Sequence, residues 1–85
     1  MKHFVYMILT KIDDKFISYV GYTNNLLKRL LLHNSSKGAK FTRGRTWILA
    51  YKQKYLTKNK AMKEEYLLKK NYKKRIFIKK KFINL

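Results

Sequence analysis

Six consecutive residues near the start of the chain, Phe4-Val5-Tyr6-Met7-Ile8-Leu9, leave no polar face. Such a run suits a strand covered on both sides. Asp13-Asp14 supplies a turn. Phe16-Ile17-Ser18-Tyr19-Val20-Gly21-Tyr22 then returns as a second strand, rich in β-branched and aromatic residues. With the hairpin centred on the aspartate pair, Ile12 faces Lys15, Tyr6 opposes Gly21 and Tyr19 opposes Ile8. Tyr6 and Tyr19 then emerge on one face as diagonal neighbours. A one-residue slip would put them on opposite faces.

Thr23-Asn24-Asn25 offers caps for a helix running to about His33-Asn34, with Leu26, Leu27, Leu30 and Leu31 as its buried side. Ser35 to Arg45 reads as a loop containing Gly38 and Gly44, and Trp47 to Leu56 as a third strand with Trp47 as a core anchor. From about Thr57 neither Pro nor Gly interrupts the chain, so the pattern predicts one long helix toward Lys81. Phe82-Ile83-Asn84-Leu85 reads as a short tail outside a domain of residues 1–81. The element order is β-β-α-β-α.

On the long helix, Ala61, Glu65, Leu68, Tyr72 and Ile76 share one stripe at 100° per residue. Glu65 interrupts a face meant for packing, while Glu64 lies off it with Lys60 and Asn71. An acid on a packing face is costly unless something positive satisfies it. Lys69, one turn on, supplies an ordinary i,i+4 partner; a metal ion would serve as well.

Charge sharpens the picture. Among 85 residues, 22 Lys and Arg stand against 4 Asp and Glu, a net charge of +18. That field attracts polyanions. A chain that is 46% hydrophobic nonetheless folds around one modest core rather than remaining a basic tail. Cysteine is absent, which excludes disulfides and thiolate metal sites, and two histidines do not make a structural zinc site. The apolar run at the start ends at Thr10-Lys11, short of a signal peptide, and no stretch approaches the roughly 20 apolar residues of a membrane span. A cytoplasmic protein without membrane insertion is expected.

Several residues have chemistry to offer. Arg29 and His33 are one turn apart and project from one side of the first helix. An arginine fork suits phosphate, and a histidine can relay a proton near neutral pH. A phenol such as Tyr6 or Tyr19 is a weak base unless cations favour phenolate, but it can orient water. In the loop, Lys40, Thr42, Arg43 and Arg45, with Lys69 on the helix, can contact phosphates, and the loop aromatics can stack on unpaired bases.

In this order the parts resemble the GIY-YIG nuclease family. Phe4-Val5-Tyr6 is similar to its first motif, with Phe-Val in place of Gly-Ile, and Tyr19-Val20-Gly21 to its second. Thr23-Asn24-Asn25-Leu26, Arg29 and His33-Asn34 resemble its arginine helix. Gly38 to Trp47, then Ala61, Glu65 and Lys69, resemble small stand-alone members, and the likeness spans about residues 4–70. The resemblance implies an α/β (α+β) domain, a small three-stranded antiparallel sheet flanked by helices. It implies a DNA endonuclease using one divalent metal, Mg2+ or Mn2+, in repair or recombination. Carried over, Glu65 holds the metal and Arg29 stabilises the transition state. Tyr6 and Tyr19 position or deprotonate water, with the base among the two left open, and His33 assists proton movement.

Strong sequence specificity is not expected from the chain alone, which leaves room for a protein partner to supply it. A non-catalytic basic nucleic-acid-binding module is the main alternative, separated by metal dependence. A cationic membrane-surface role for Tyr72–Leu85 fits less well, because the apolar stripe there suits packing on the sheet.

Overall fold

The computed structural model describes residues 2–84. Strands β1 (His3–Ile12) and β2 (Lys15–Thr23) are followed by helix α1 (Leu26–Asn34), a single 3-10 turn at Lys40–Thr42 and strand β3 (Ile48–Tyr55). Helices α2 (Lys58–Lys70) and α3 (Tyr72–Ile83) complete the α+β chain. The sheet order is β2-β1-β3, with both pairings antiparallel.

The hairpin has the register its turn demands. Ile12 faces Lys15, Tyr6 faces Gly21 and Ile8 faces Tyr19. Asp13 takes a left-handed φ of 56°, a conformation aspartate tolerates at tight turns. Central β1 is buried on both faces, as its unbroken apolar run requires. Val5, Met7 and Leu9 meet Val20 of β2, Ala61 and Leu68 of α2, and Ile78 of α3. On the opposite face Tyr6 and Ile8 meet Trp47, with half-buried Tyr19, Leu26, Leu30 and Leu49. A fully buried aliphatic side chain contributes about 1.5–3 kcal/mol, so these two small clusters carry much of the stability of a domain this size.

Three expectations need correction. The single long helix is two, because Asn71 leaves helical geometry at φ −94° and ψ 82°. Its backbone N–H closes α2 on the Leu68 carbonyl while its side chain accepts from the Lys74 N–H to open α3. Helix phase is reset there, so Ala61 and Leu68 are buried but Tyr72 is 67% exposed and Ile78 takes the core position. Of the four leucines expected on the buried side of α1, Leu26 and Leu30 pack inward and Leu27 and Leu31 are exposed. Phe82 packs on the core and Ile83 ends α3, so neither forms a detached tail; Leu85 lies outside the described residues. Among the described residues no helix is long and apolar enough to cross a membrane.

Candidate active site

The α1 face of the sheet holds a chain of buried hydrogen bonds. Tyr6 stands on β1 opposite Gly21, its ring lying across the glycine. A Cβ at Gly21 would come within 2.5 Å of Tyr6 Cζ. The Tyr6 hydroxyl is 2.7 Å from His33 Nε2, and His33 Nδ1 is 2.9 Å from Thr42 Oγ1. Tyr6, His33 and Thr42 are each no more than 1% exposed. Gly38 backs the imidazole, where a Cβ would sit 2.5 Å from Nδ1. Two of the three glycines thus make room for this pair of rings.

Donor bookkeeping fixes the protons. The Thr42 hydroxyl donates to the Ala39 carbonyl at 2.8 Å, so its oxygen accepts from His33 Nδ1–H. Nε2 is left bare and accepts from the Tyr6 hydroxyl. The Thr42 carbonyl takes the Trp47 indole N–H at 2.9 Å. Asn34 clamps the same tryptophan's backbone, accepting from its N–H at 2.6 Å and donating to its carbonyl at 3.1 Å. The loop is therefore bound to the end of α1 on both sides of His33.

Burial raises the Tyr6 pKa above 10.0, the Arg29 guanidinium beside the hydroxyl opposes the rise, and the Tyr19 and Glu65 charges reinforce it. At neutral pH Tyr6 is a phenol. Burial and then the Arg29 charge lower the His33 pKa below 6.5, so the imidazole is neutral. Arg29 Nε is enclosed without a hydrogen-bond partner. Tyr19 presents its ring to the edge of His33 at 5.3 Å.

Glu65 acts electrostatically on Tyr6 from α2, and its Oε1 lies 3.5 Å from Lys69 Nζ. Glu64 makes an equivalent pair with Lys60 at 3.5 Å but lines a different cavity, with Tyr51 and Tyr55. Ion pairing does not distinguish the two glutamates; direction does. No group of three or more His, Asp or Glu side chains converges among the described residues. A lone hard-oxygen donor such as Glu65 fits a magnesium-like ion that keeps its waters and shares a substrate phosphate, not a caged metal.

The loop cations spread outward. Lys40 and Arg43 are exposed, Lys69 is exposed beside Glu65, and half-buried Arg45 lies 4.9 Å over the Phe41 ring. Thr42, expected among the phosphate contacts, is 0% exposed, and its hydroxyl is committed to His33 and Ala39. A lone threonine in a basic loop gives no sign of this. Gly38, small where the loop closes on the ring, is the nearest sequence signal.

Residues 2–81 match the family model described as the GIY-YIG catalytic domain. The chain is similar to a UPF0213 protein of Oceanobacillus iheyensis, 45% identical over 69 residues that cover 80% of this chain and 77% of that protein. A UPF0213 protein of Bacillus subtilis is 42% identical over 82 residues, covering 93% of this chain and 80% of its own. The solution NMR structure of a UPF0213 protein from Bacillus halodurans matches with a TM-score of 0.50 and 38% identity, over 93% of this chain and 84% of that one.

Proposed function

This chain belongs to the GIY-YIG family of nuclease domains, and we propose that it is a metal-dependent endonuclease hydrolysing DNA phosphodiester bonds with little sequence specificity. Repair or recombination is the setting we infer, with a protein partner directing it to sites. The observation that carries the reading is the buried Tyr6–His33–Thr42 chain beside Arg29. Any buried phenol needs an acceptor; what favours chemistry here is that the acceptor is a neutral imidazole able to take the proton, with the Arg29 guanidinium beside the hydroxyl.

Tyr6 is the proton acceptor in this reading. Its oxygen takes a proton from the attacking water as its own hydroxyl proton passes to His33 Nε2. Resting pKa values favour the proton on Tyr6, so transfer accompanies attack rather than preceding it. Thr42 holds Nδ1 protonated and the ring in place. Tyr19 packs on the ring and orients water. Arg29 meets the charge that grows on the phosphoryl oxygens, where stabilisation accelerates the step. Glu65 would hold a divalent ion, which supplies Lewis-acid stabilisation of that same charge. Binding itself rests on Lys and Arg contacts with the backbone and weakens with salt.

The adjacent glutamates provide the test. Glu65→Gln should lower magnesium-stimulated cleavage at least about 100-fold and leave DNA binding equal or tighter, while Glu64→Gln cuts almost normally. If Glu65 serves only its lysine at 3.5 Å, the change costs roughly 0.2–1 kcal/mol of stability and no turnover. Binding that persists with no metal-dependent cleavage by the unaltered protein would favour the non-catalytic binding module.

A further inference from the structure

β2 is an edge of the sheet. Along it runs a cleft of about 260 Å3 lined by Ser18, Tyr19, Val20, Phe41, Lys69 and Arg75. That is below the roughly 300–1,000 Å3 of drug-sized ligand pockets, room for a flat ring rather than a cofactor. One wall is aromatic. Phe41 is 50% exposed, yet it is not loose. Its ring lies nearly parallel to Tyr19, 19° at 6.1 Å, is tilted against Trp47 at 6.2 Å and carries the Arg45 guanidinium at 4.9 Å. The other wall is cationic. Lys69 and Arg75 stand there, and Arg75 Nε is enclosed without an acceptor among the described residues, as is Arg45 Nη1. Enclosed donors without partners are uncommon and call for one.

The cleft also touches the site just described. Tyr19 is common to both, and the Lys69 ammonium is the one paired with Glu65. An aromatic shelf facing two cations matches one nucleotide, base on the rings and phosphate on the cations. A base within a duplex has both faces covered by its neighbours, so only an unpaired or frayed base can use the shelf.

We propose that the β2-edge cleft is a subsite for one unpaired nucleotide of a DNA strand, stacked on Phe41 and Tyr19 with its phosphate on Lys69 and Arg75. Its place next to the reacting phosphate rests on the nuclease reading above; the stacking does not. The protein thereby prefers DNA with a single-stranded segment at the cut, such as a flap, loop or open end, over continuous duplex.

The test is anisotropy in chelator, at matched salt, with oligodeoxythymidine and a blunt duplex of equal length. Phe41→Leu keeps an apolar side chain and removes the ring. It should weaken single-strand binding about five- to thirty-fold and duplex binding less than about twofold, while Phe41→Tyr restores the single-strand affinity. Arg75→Gln, on the opposite wall, should reduce the single-strand salt slope by about 0.7. A 2-aminopurine in the strand should be quenched by the unaltered protein and by Phe41→Tyr but not by Phe41→Leu. Equal losses on both DNAs, or no loss on either, overturn the subsite. Should Phe41→Leu fail to fold, the Arg75→Gln slope and the quench by the unaltered protein decide. Phe41-dependent single-strand binding without cleavage sinks the nuclease reading alone. Cleavage without that dependence sinks the subsite alone.

Discussion

Alternate residues of β1 enter two cores of opposite character. Val5, Met7 and Leu9 point toward α2 and α3, among Val20, Ala61, Leu68 and Ile78. Tyr6 and Ile8 point toward α1, where a phenol, an imidazole and a threonine hydroxyl are joined in series. Both cores are buried, but they respond to change differently. The first needs only volume and shape, which other apolar side chains can supply. The second needs each donor to meet its acceptor, because a partly satisfied polar network costs more than none. The two-residue period of a strand keeps an apolar core on one side and a hydrogen-bonded chain on the other.

The largest expected effect pits neighbours from the two faces against each other. Tyr6→Phe removes one oxygen and keeps the ring; cleavage should fall about 100-fold or more, within the usual reach of proton-transfer catalysis. The bare His33 Nε2 loses its donor, costing about 1–3 kcal/mol of stability. Met7→Ala empties the 0%-exposed centre of the apolar face and should cost about 2–5 kcal/mol, while the molecules that stay folded cut normally. Urea melts and single-turnover cleavage, run below the midpoint of each variant, separate the two. If Met7→Ala loses turnover while folded, or Tyr6→Phe keeps it, the division of labour between the faces is wrong.

Much of the apolar side was legible in the chain. The unbroken run from Phe4 to Leu9 announced a strand with two cores, and the Asp13-Asp14 turn set a register that brought Tyr6 onto Gly21. The α2/α3 break was not legible, because Asn71 is neither Pro nor Gly and shows its role only when its side chain caps Lys74. Nor could periodicity choose among Leu26, Leu27, Leu30 and Leu31 of α1, of which Leu26 and Leu30 pack on the sheet face. On the wired face the residue types were visible but their connections were not. That Thr42 accepts from His33 depends on the fold of a loop, and local pattern carries no record of a contact made nine residues away.

That connection gives the next effect in size. Thr42→Val keeps the shape and removes the hydroxyl, leaving His33 Nδ1–H without its acceptor in a site with 0% exposure. The ring then either bears an unsatisfied donor or moves its proton to Nε2, where it can no longer receive one from Tyr6. We expect cleavage to drop about tenfold or more, with a stability cost near 1–3 kcal/mol. Thr42→Ser restores the hydroxyl and should recover most of the activity, although it leaves a small void. A residue that only filled space would show the reverse, with Val tolerated and Ser harmful.

The smallest effect is in the pH profile. Cleavage in this reading requires His33 neutral, and burial followed by the Arg29 charge puts its pKa below the ordinary 6.5. The midpoint of the acid limb in kcat/KM should therefore lie below pH 6.5, with the fall beyond it approaching tenfold per unit. Tyr6 remains a phenol beyond pH 10.0 and adds no limb in the working range. Stability follows from the same histidine. Its pKa is lower folded than unfolded, so below pH 6.5 the unfolded chain binds more protons. The contribution is whole above that pH and is lost as pH falls from there through the folded value. Val5, Met7 and Leu9 do not titrate, and burial raises the pKa of Tyr55 beside them above 10.0, so the apolar face adds nothing to either curve on the acid side. An imidazole NMR titration of His33, run beside the rate profile and urea melts, checks all three. A midpoint at or above pH 6.5 would mean that water reaches His33 in the working protein, and the contrast between a wired buried face and an apolar one would collapse.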